Sequence, residues 1–144
     1  FFKQTMILIF IVIVVGVGGQ IIKELLFESK PSQQEINKNL INEIKAASEK
    51  ENARGPRMIN GDTRLDKTVA GPGLSVTSYM STPEIESRVL LLAKDGTFNH
   101  VKAYVCSNES MKGLLIRGVA FNYIYRGSDN TEAYRISISR EDCR

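Results

Sequence analysis

At 144 residues the chain has room for one ordinary domain beside a membrane segment of about 20 residues, since single domains run about 50 to 200. Its 19 Lys and Arg against 16 Asp and Glu leave a formal charge of +3, and no stretch concentrates positive charge as phosphate binding requires, so nucleic acid is not an expected partner. The densest basic run, Arg54 to Lys67, also contains Asp62 and Asp66 and reads as a solvated loop.

The chain opens on an apolar segment. Met6 to Val17 reads MILIFIVIVVGV, and Gly18 to Ile22 add only Gln20 as a polar residue. As a helix, residues 5–22 would be about 27 Å long, enough to cross a bilayer. The expected organisation is therefore a transmembrane anchor with a juxtamembrane helix over residues 1–30, and an extracytoplasmic domain over 31–144. Lys3 on one side and Lys23, Glu24, Glu28 and Lys30 on the other set the orientation only weakly. A cleaved signal peptide ending at Val17-Gly18-Gly19 is the alternative. Gly16 and Gly19, spaced i, i+3, offer a flat surface for close helix approach. Membrane lipid, together with a protein partner or a second copy met through this helix, are the expected partners.

Pro31 ends or bends that helix, and Ser32-Gln33-Gln34-Glu35 matches a capping box. Ile36, Leu40, Ile44 and Ala47, with Ile41 beside them, form an apolar stripe that predicts a helix ending at Gly55-Pro56, packed on a sheet. Residues 57–73 read as loop, with a turn at Asn60-Gly61 and a break at Gly71-Pro72-Gly73. Leu74, Val76, Ser78 and Met80 alternate as in a half-buried strand, and the apolar run from Ile85 to Ala93 predicts a second. Residues 97–105 fit a helix through Phe98, Val101 and Val105 or a strand through Val101, Ala103 and Val105, and the helix is preferred.

Asn108 is placed to cap a short helix through Ile116 that Gly118 stops. Residues 119–125 and 133–139 alternate on either side of Arg126-Gly127-Ser128-Asp129-Asn130 and predict a terminal β-hairpin. The expected fold is α+β: one N-terminal transmembrane helix, then a helix on a small antiparallel sheet ending in a hairpin, with one disulfide.

That disulfide would join Cys106 and Cys143, the only cysteines. An even count in a small exported domain favours a bridge, which would tie down a fraying chain end, while two buried thiols are the alternative.

The chemistry-bearing residues are sparse. A zinc site wants four ligands, and two cysteines with the single His100 do not supply them. His100 has no serine in a Gly-x-Ser-x-Gly elbow to act on. Glu84 and Glu86, two apart, would share a strand face as an exposed charged edge. Asn108-Glu109-Ser110 matches a glycosylation sequon. No glycine loop has the lysine of a phosphate cradle. Catalytic residues, metal and cofactor are accordingly not expected. Phe121, Tyr123 and Tyr125 alternate on one strand face; such aromatics are mostly core, yet they are the best candidates for a partner contact in the exported domain.

Thr63-Arg64-Leu65-Asp66, Ala70-Gly71-Pro72-Gly73, Tyr79, Cys106-Ser107, Met111, Leu114-Leu115, Gly118-Val119, Tyr123 to Gly127 and Asp142-Cys143 together resemble a group of small exported or membrane-tethered bacterial proteins of unassigned function. The resemblance spans residues 33–143 and implies a paired Cys106 and Cys143 and a bacterial envelope location. A looser likeness is to type IV pilins, through Phe1, Pro31 and the two cysteines, although Thr5 stands where pilins carry a glutamate. The expected function is a non-enzymatic accessory or structural subunit of a bacterial envelope complex, held in the inner membrane with its N-terminus cytoplasmic and its domain periplasmic. A pilin-like filament subunit is the alternative, and an exported hydrolase the third.

Overall fold

The computed structural model describes residues 32–144. The expected membrane segment over residues 5–22, the anchor unit 1–30 and the pair Gly16 and Gly19 lie outside them. Among the described residues no helix is long and apolar enough to cross a membrane.

Helix α1, Gln33–Asn52, starts where the capping residues place it: Ser32 Oγ accepts from the Glu35 amide at 3.2 Å. Of its apolar stripe, Leu40 and Ile44 are buried and Ser48 joins them, whereas Ile36 and Ile41 remain exposed. Burying the two aliphatic side chains contributes about 1.5 to 3 kcal/mol each. Two polar links fasten the helix as well. Glu43 takes a bidentate hydrogen bond from Arg117 at 2.6 and 3.0 Å, and that guanidinium holds the Glu43 carboxyl below its usual range. Asn52 binds the backbone of Thr68.

The sheet has five strands in the order β1-β2-β3-β4-β5: Arg57–Met58, Arg64–Ala70, Ser75–Ser81, Ala120–Arg126 and Glu132–Ile138. Neighbours run antiparallel except β3 and β4, which are parallel, so the expected all-antiparallel sheet is corrected to a mixed, antiparallel-rich one. The reason is the crossover. A parallel pair needs a long connection, and residues 82–119 provide it as three helices. These are α2, Ser87–Leu90, continuing as a 3-10 turn over Leu91–Ala93; α3, Lys94–Ser107; and α4, Glu109–Ile116.

Two more expectations are corrected here. Most of the run from Ile85 to Ala93 is helical rather than a strand, from Ser87 onward: Leu90 points into the core while Val89, Leu91 and Leu92 face outward, and periodicity cannot separate these cases in so short an apolar run. Glu84 and Glu86 consequently share no strand face; Glu86 is the cap of α2 and pairs with Arg88 at 2.7 Å. The expected loop over 57–73 contains β1 and β2. A bulge between Leu65 and Lys67 turns Leu65 and Thr68 to the same face, three residues apart, which erases the period of two that marks a strand. Residues 97–105 are helical, as preferred, within α3.

Asn108 caps α4, its Oδ1 accepting from the Met111 amide at 3.1 Å, and Gly118 at φ +92° closes the turn into β4. The register aligns Val76 with Phe121, Ser78 with Tyr123 and Met80 with Tyr125, and then Phe121 with Ile138, Tyr123 with Ile136 and Tyr125 with Tyr134. All these side chains share one face with Leu65 and Thr68. Cys106 at the end of α3 is bonded to Cys143, whose Cα lies 5.4 Å away, in a final 3-10 turn over Arg140–Cys143. Asp142 and Ser139 form a capping box on that turn, and the hydrogen bond from the Ser139 amide lowers the Asp142 carboxyl below its usual range.

Candidate functional site

The core divides in two. The larger cluster joins Val101 and Val105 of α3, Leu115 of α4 and Leu90 of α2 to Phe121, Tyr123, Tyr125, Tyr134, Ile136 and Ile138. The smaller joins Leu40 and Ile44 of α1 to Val119. Val76 and Leu114 pack against both. A cleft of about 1080 Å³ lies over the sheet, lined by residues of α1, of α3 and of the strands.

Small side chains keep the cleft open. α1 lines it with Ala47 and Ser48 below Ile44, and α3 with Gly96 and Thr97 above Val101. The floor is Ser78, Met80 and Thr68 with the aromatic row Phe121, Tyr123 and Tyr125. Tyr134 stacks on Tyr125 with ring centroids 4.9 Å apart, and its hydroxyl donates to Thr97 Oγ1 at 3.1 Å. Burial, the largest cause, raises all three phenols of Tyr123, Tyr125 and Tyr134 above their ordinary range, with Tyr125 pushed up to about 12. They are neutral hydroxyls at physiological pH.

The rim is apolar and faces solvent. Leu92 is 86% exposed, Tyr104 57% and Ile59 47%, and all three line the opening. At one end of the cleft the charged residues are Glu51 and Arg57, which form an ion pair; Arg54 reaches the same carboxylate at 3.7 Å. Arg57 Nη1 is buried and has no hydrogen-bond partner among the described residues.

The sequence-derived candidates fall as follows. Phe121, Tyr123 and Tyr125 are buried together on the cleft floor, brought there by alternation along β4. Cys106 and Cys143 are bonded to each other and do not line the cleft. His100 is exposed on α3 and lines the cleft, and no hydrogen bond joins it to a carboxylate or hydroxyl among the described residues. Among those residues no group of three or more His, Cys, Asp or Glu is placed to hold a metal. Ala47 belongs to the apolar stripe that the sequence placed on the sheet, whereas Ser48, Gly96 and Thr97, and Arg57 beside them, carried no signal in the sequence beyond small size or ordinary charge. Most of the basic run is locally paired: Arg57 with Glu51, Arg64 with Asp66 at 2.6 Å, and Lys67 over the Tyr79 ring at 4.8 Å.

No protein-family model and no curated protein matches the chain. Solved structures do resemble it in fold. A presumed secreted protein from Pseudomonas aeruginosa superposes with a TM-score of 0.67 at 19% identity, covering 76% of this chain and 96% of that one. The pilotin EpsS of the Vibrio vulnificus type 2 secretion system gives 0.61 at 13% identity, over 78% and 98% of the two chains. The type II secretion system pilotin AspS from Vibrio cholerae gives 0.56 at 16% identity, over 76% and 97%. At these identities the likeness establishes a shared fold.

Proposed function

We propose that the chain is a non-enzymatic accessory subunit of a bacterial envelope assembly, and that its cleft receives an apolar helical segment of a protein partner. The observation that carries this reading is the cleft itself: an aromatic floor between two helices, with Leu92, Tyr104 and Ile59 exposed around the opening. Apolar side chains exposed around a concave apolar surface are the usual mark of a partner site, and a groove between helices is filled by the apolar face of a third. Phe121, Tyr123 and Tyr125 then contact the partner from the floor. Two of the structures sharing this fold are pilotins of the type II secretion system, which supports an accessory role in an envelope secretion assembly.

In this reading residues 5–22 tether the protein in the inner membrane, the domain lies in the periplasm, and Gly16 and Gly19 offer a second contact in the bilayer. The resemblance to small exported and membrane-tethered bacterial proteins supports that placement. The test is site-specific photo-crosslinking in bacterial cells. A probe at Leu92 should give one dominant adduct with another envelope protein, and a probe at Lys45, on the outward side of α1, should not. Equal labelling from both sites, or no adduct at Leu92, would overturn the cleft as a partner site.

A further inference from the structure

If the cleft receives a partner helix, the polar groups of its floor restrict what that helix carries. We infer that the partner segment presents, among its apolar side chains, one uncharged amide, Asn or Gln, that meets a band of hydroxyls formed by Thr68, Ser78 and Tyr123. This rests on the cleft reading and adds a residue type to it.

The sheet register builds the band. Thr68 of β2 pairs with Ser78 of β3, and Ser78 pairs with Tyr123 of β4, so the three stand in one row across the cleft face. The rows on either side bring Leu65 beside Met80, and Ala70 and Val76 beside Phe121. Thr68, Ser78 and Tyr123 all line the cleft, and Tyr125, next along the same face of β4, adds a fourth hydroxyl. None of the four hydroxyls makes a hydrogen bond among the described residues. The side-chain polar atoms that lack both a partner and contact with solvent are Arg57 Nη1 and Arg126 Nε, so the four oxygens, which are not among them, are accessible. Thr68, Tyr123 and Tyr125 are more than nine-tenths buried, and the space their oxygens reach is the cleft they line. Of the other buried hydroxyls, those of Ser48, Ser75, Thr82, Ser87 and Tyr134 each donate to an acceptor, and Thr77 lies on the opposite face of the sheet.

Water serves these hydroxyls while the cleft is open. A wholly apolar helix closing over them strips that water and leaves them unpaired, which weakens its binding. An amide both donates and accepts, as hydroxyls do, and adjacent strands lie about 4.8 Å apart, so one amide can serve two neighbours in the row. A charged side chain fits less well. Glu51 and Arg57 pair with each other and the phenols stay protonated at neutral pH, so the floor offers no counter-ion.

The experiment uses a phage-displayed library of amphipathic helices whose outward positions are fixed and whose inward positions are randomised among Leu, Asn, Gln, Glu and Lys. The library is selected against the full chain in mild detergent. Parallel selections use Tyr123→Phe and the double variant Ser78→Ala with Tyr123→Phe, each first shown to melt cooperatively. The wild-type protein should enrich Asn or Gln at one inward position and Leu at the others, and the double variant should enrich Leu at that position too. For the leading peptide, replacing the amide by Leu should weaken binding to the wild type by about tenfold and to the double variant by less than about twofold. Tyr123→Phe, which keeps Ser78, should fall between. Binders that crosslink from Leu92 but carry no amide at their inward positions, or that keep the same amide preference on the double variant, would overturn the amide and leave the cleft reading standing. Binders that never crosslink from Leu92, or no binders at all, would overturn the cleft reading and the amide with it.

Discussion

Asn52 and Thr68 share two hydrogen bonds through a single side-chain amide: Nδ2 donates to the Thr68 carbonyl and Oδ1 accepts from the Thr68 amide, each at 2.7 Å. Strand β1 pairs only with Arg64 and Leu65, so Thr68 has no strand beside it on that side. The last residue of α1 takes the place of one. This couples the end of the helix that walls the cleft to the strand that floors it. Asn52→Ala leaves a donor and an acceptor of the buried Thr68 unpaired and is expected to cost about 1 to 3 kcal/mol. Asn52→Asp should cost at least as much, because it loses the donor and sets a carboxylate against a carbonyl. Urea denaturation of the two variants checks both values; a loss below a few tenths of a kcal/mol would show that water replaces the amide.

Gly127 and Gly113 should respond to alanine in opposite directions. A Cβ on Gly127 would sit 2.2 Å from the backbone nitrogen of Ser87, where the β4–β5 turn is held to the start of α2 by the 2.7 Å hydrogen bond from Ser87 Oγ to Asp129. Backbone cannot step aside as a side chain can, so Gly127→Ala is expected to destabilise by about 1 to 3 kcal/mol or more. Gly113 lies within α4, and a Cβ there meets nothing within 4 Å. Gly113→Ala should therefore stabilise by about 0.5 to 1 kcal/mol through helix propensity. Thermal melts of the pair separate the two effects.

The Cys106–Cys143 bridge closes a loop of 37 residues in sequence separation, for which the chain-entropy account gives about 3 to 4 kcal/mol. Replacing both cysteines by serine should lower the denaturation midpoint accordingly. Because the bond ties the final turn to α3 and lies away from the cleft lining, partner crosslinking from Leu92 should persist at temperatures where the variant is folded.

The aromatic floor sets an alkaline limit to stability. The folded phenols of Tyr123, Tyr125 and Tyr134 titrate above their unfolded value of 10.0, chiefly because burial disfavours the phenolate, and Tyr125 is pushed up to about 12. Above the unfolded value the unfolded chain loses these protons first, so stability falls as pH rises, at about 1.4 kcal/mol for each unit by which a folded value exceeds the unfolded one. The unfolding midpoint should drop between pH 10 and 12, and Tyr125→Phe should flatten that drop. An unchanged slope in Tyr125→Phe would place the titrating group elsewhere.

Local signals in the sequence were sound where they rested on short-range chemistry. The Ser32 cap of α1, the Asn108 cap of α4, the Asn60 turn with its bonds to the amides of Asp62 and Thr63, and the terminal hairpin all follow from contacts within a few residues. The pairing of the cysteines followed from their number and the expected compartment. The cleft had no such signature. Ala47, Ser48, Gly96 and Thr97 matter for the volume they leave empty, and an absence of volume is invisible until two helices are set over one sheet.

The sequence by itself determined where α1 and α4 begin, where the last hairpin turns, and that Phe121, Tyr123 and Tyr125 share a face, because a few neighbouring residues settle each of these. Only the tertiary structure decided that β3 and β4 run parallel, that most of the run from Ile85 to Ala93 coils, and that the bulge before Lys67 makes a strand of an apparent loop. It also decided that α1 and α3 line one cleft over the sheet. Those outcomes depend on which surfaces compete for the same sheet face, a contest between residues as distant in sequence as Glu43 and Arg117, which no local pattern records.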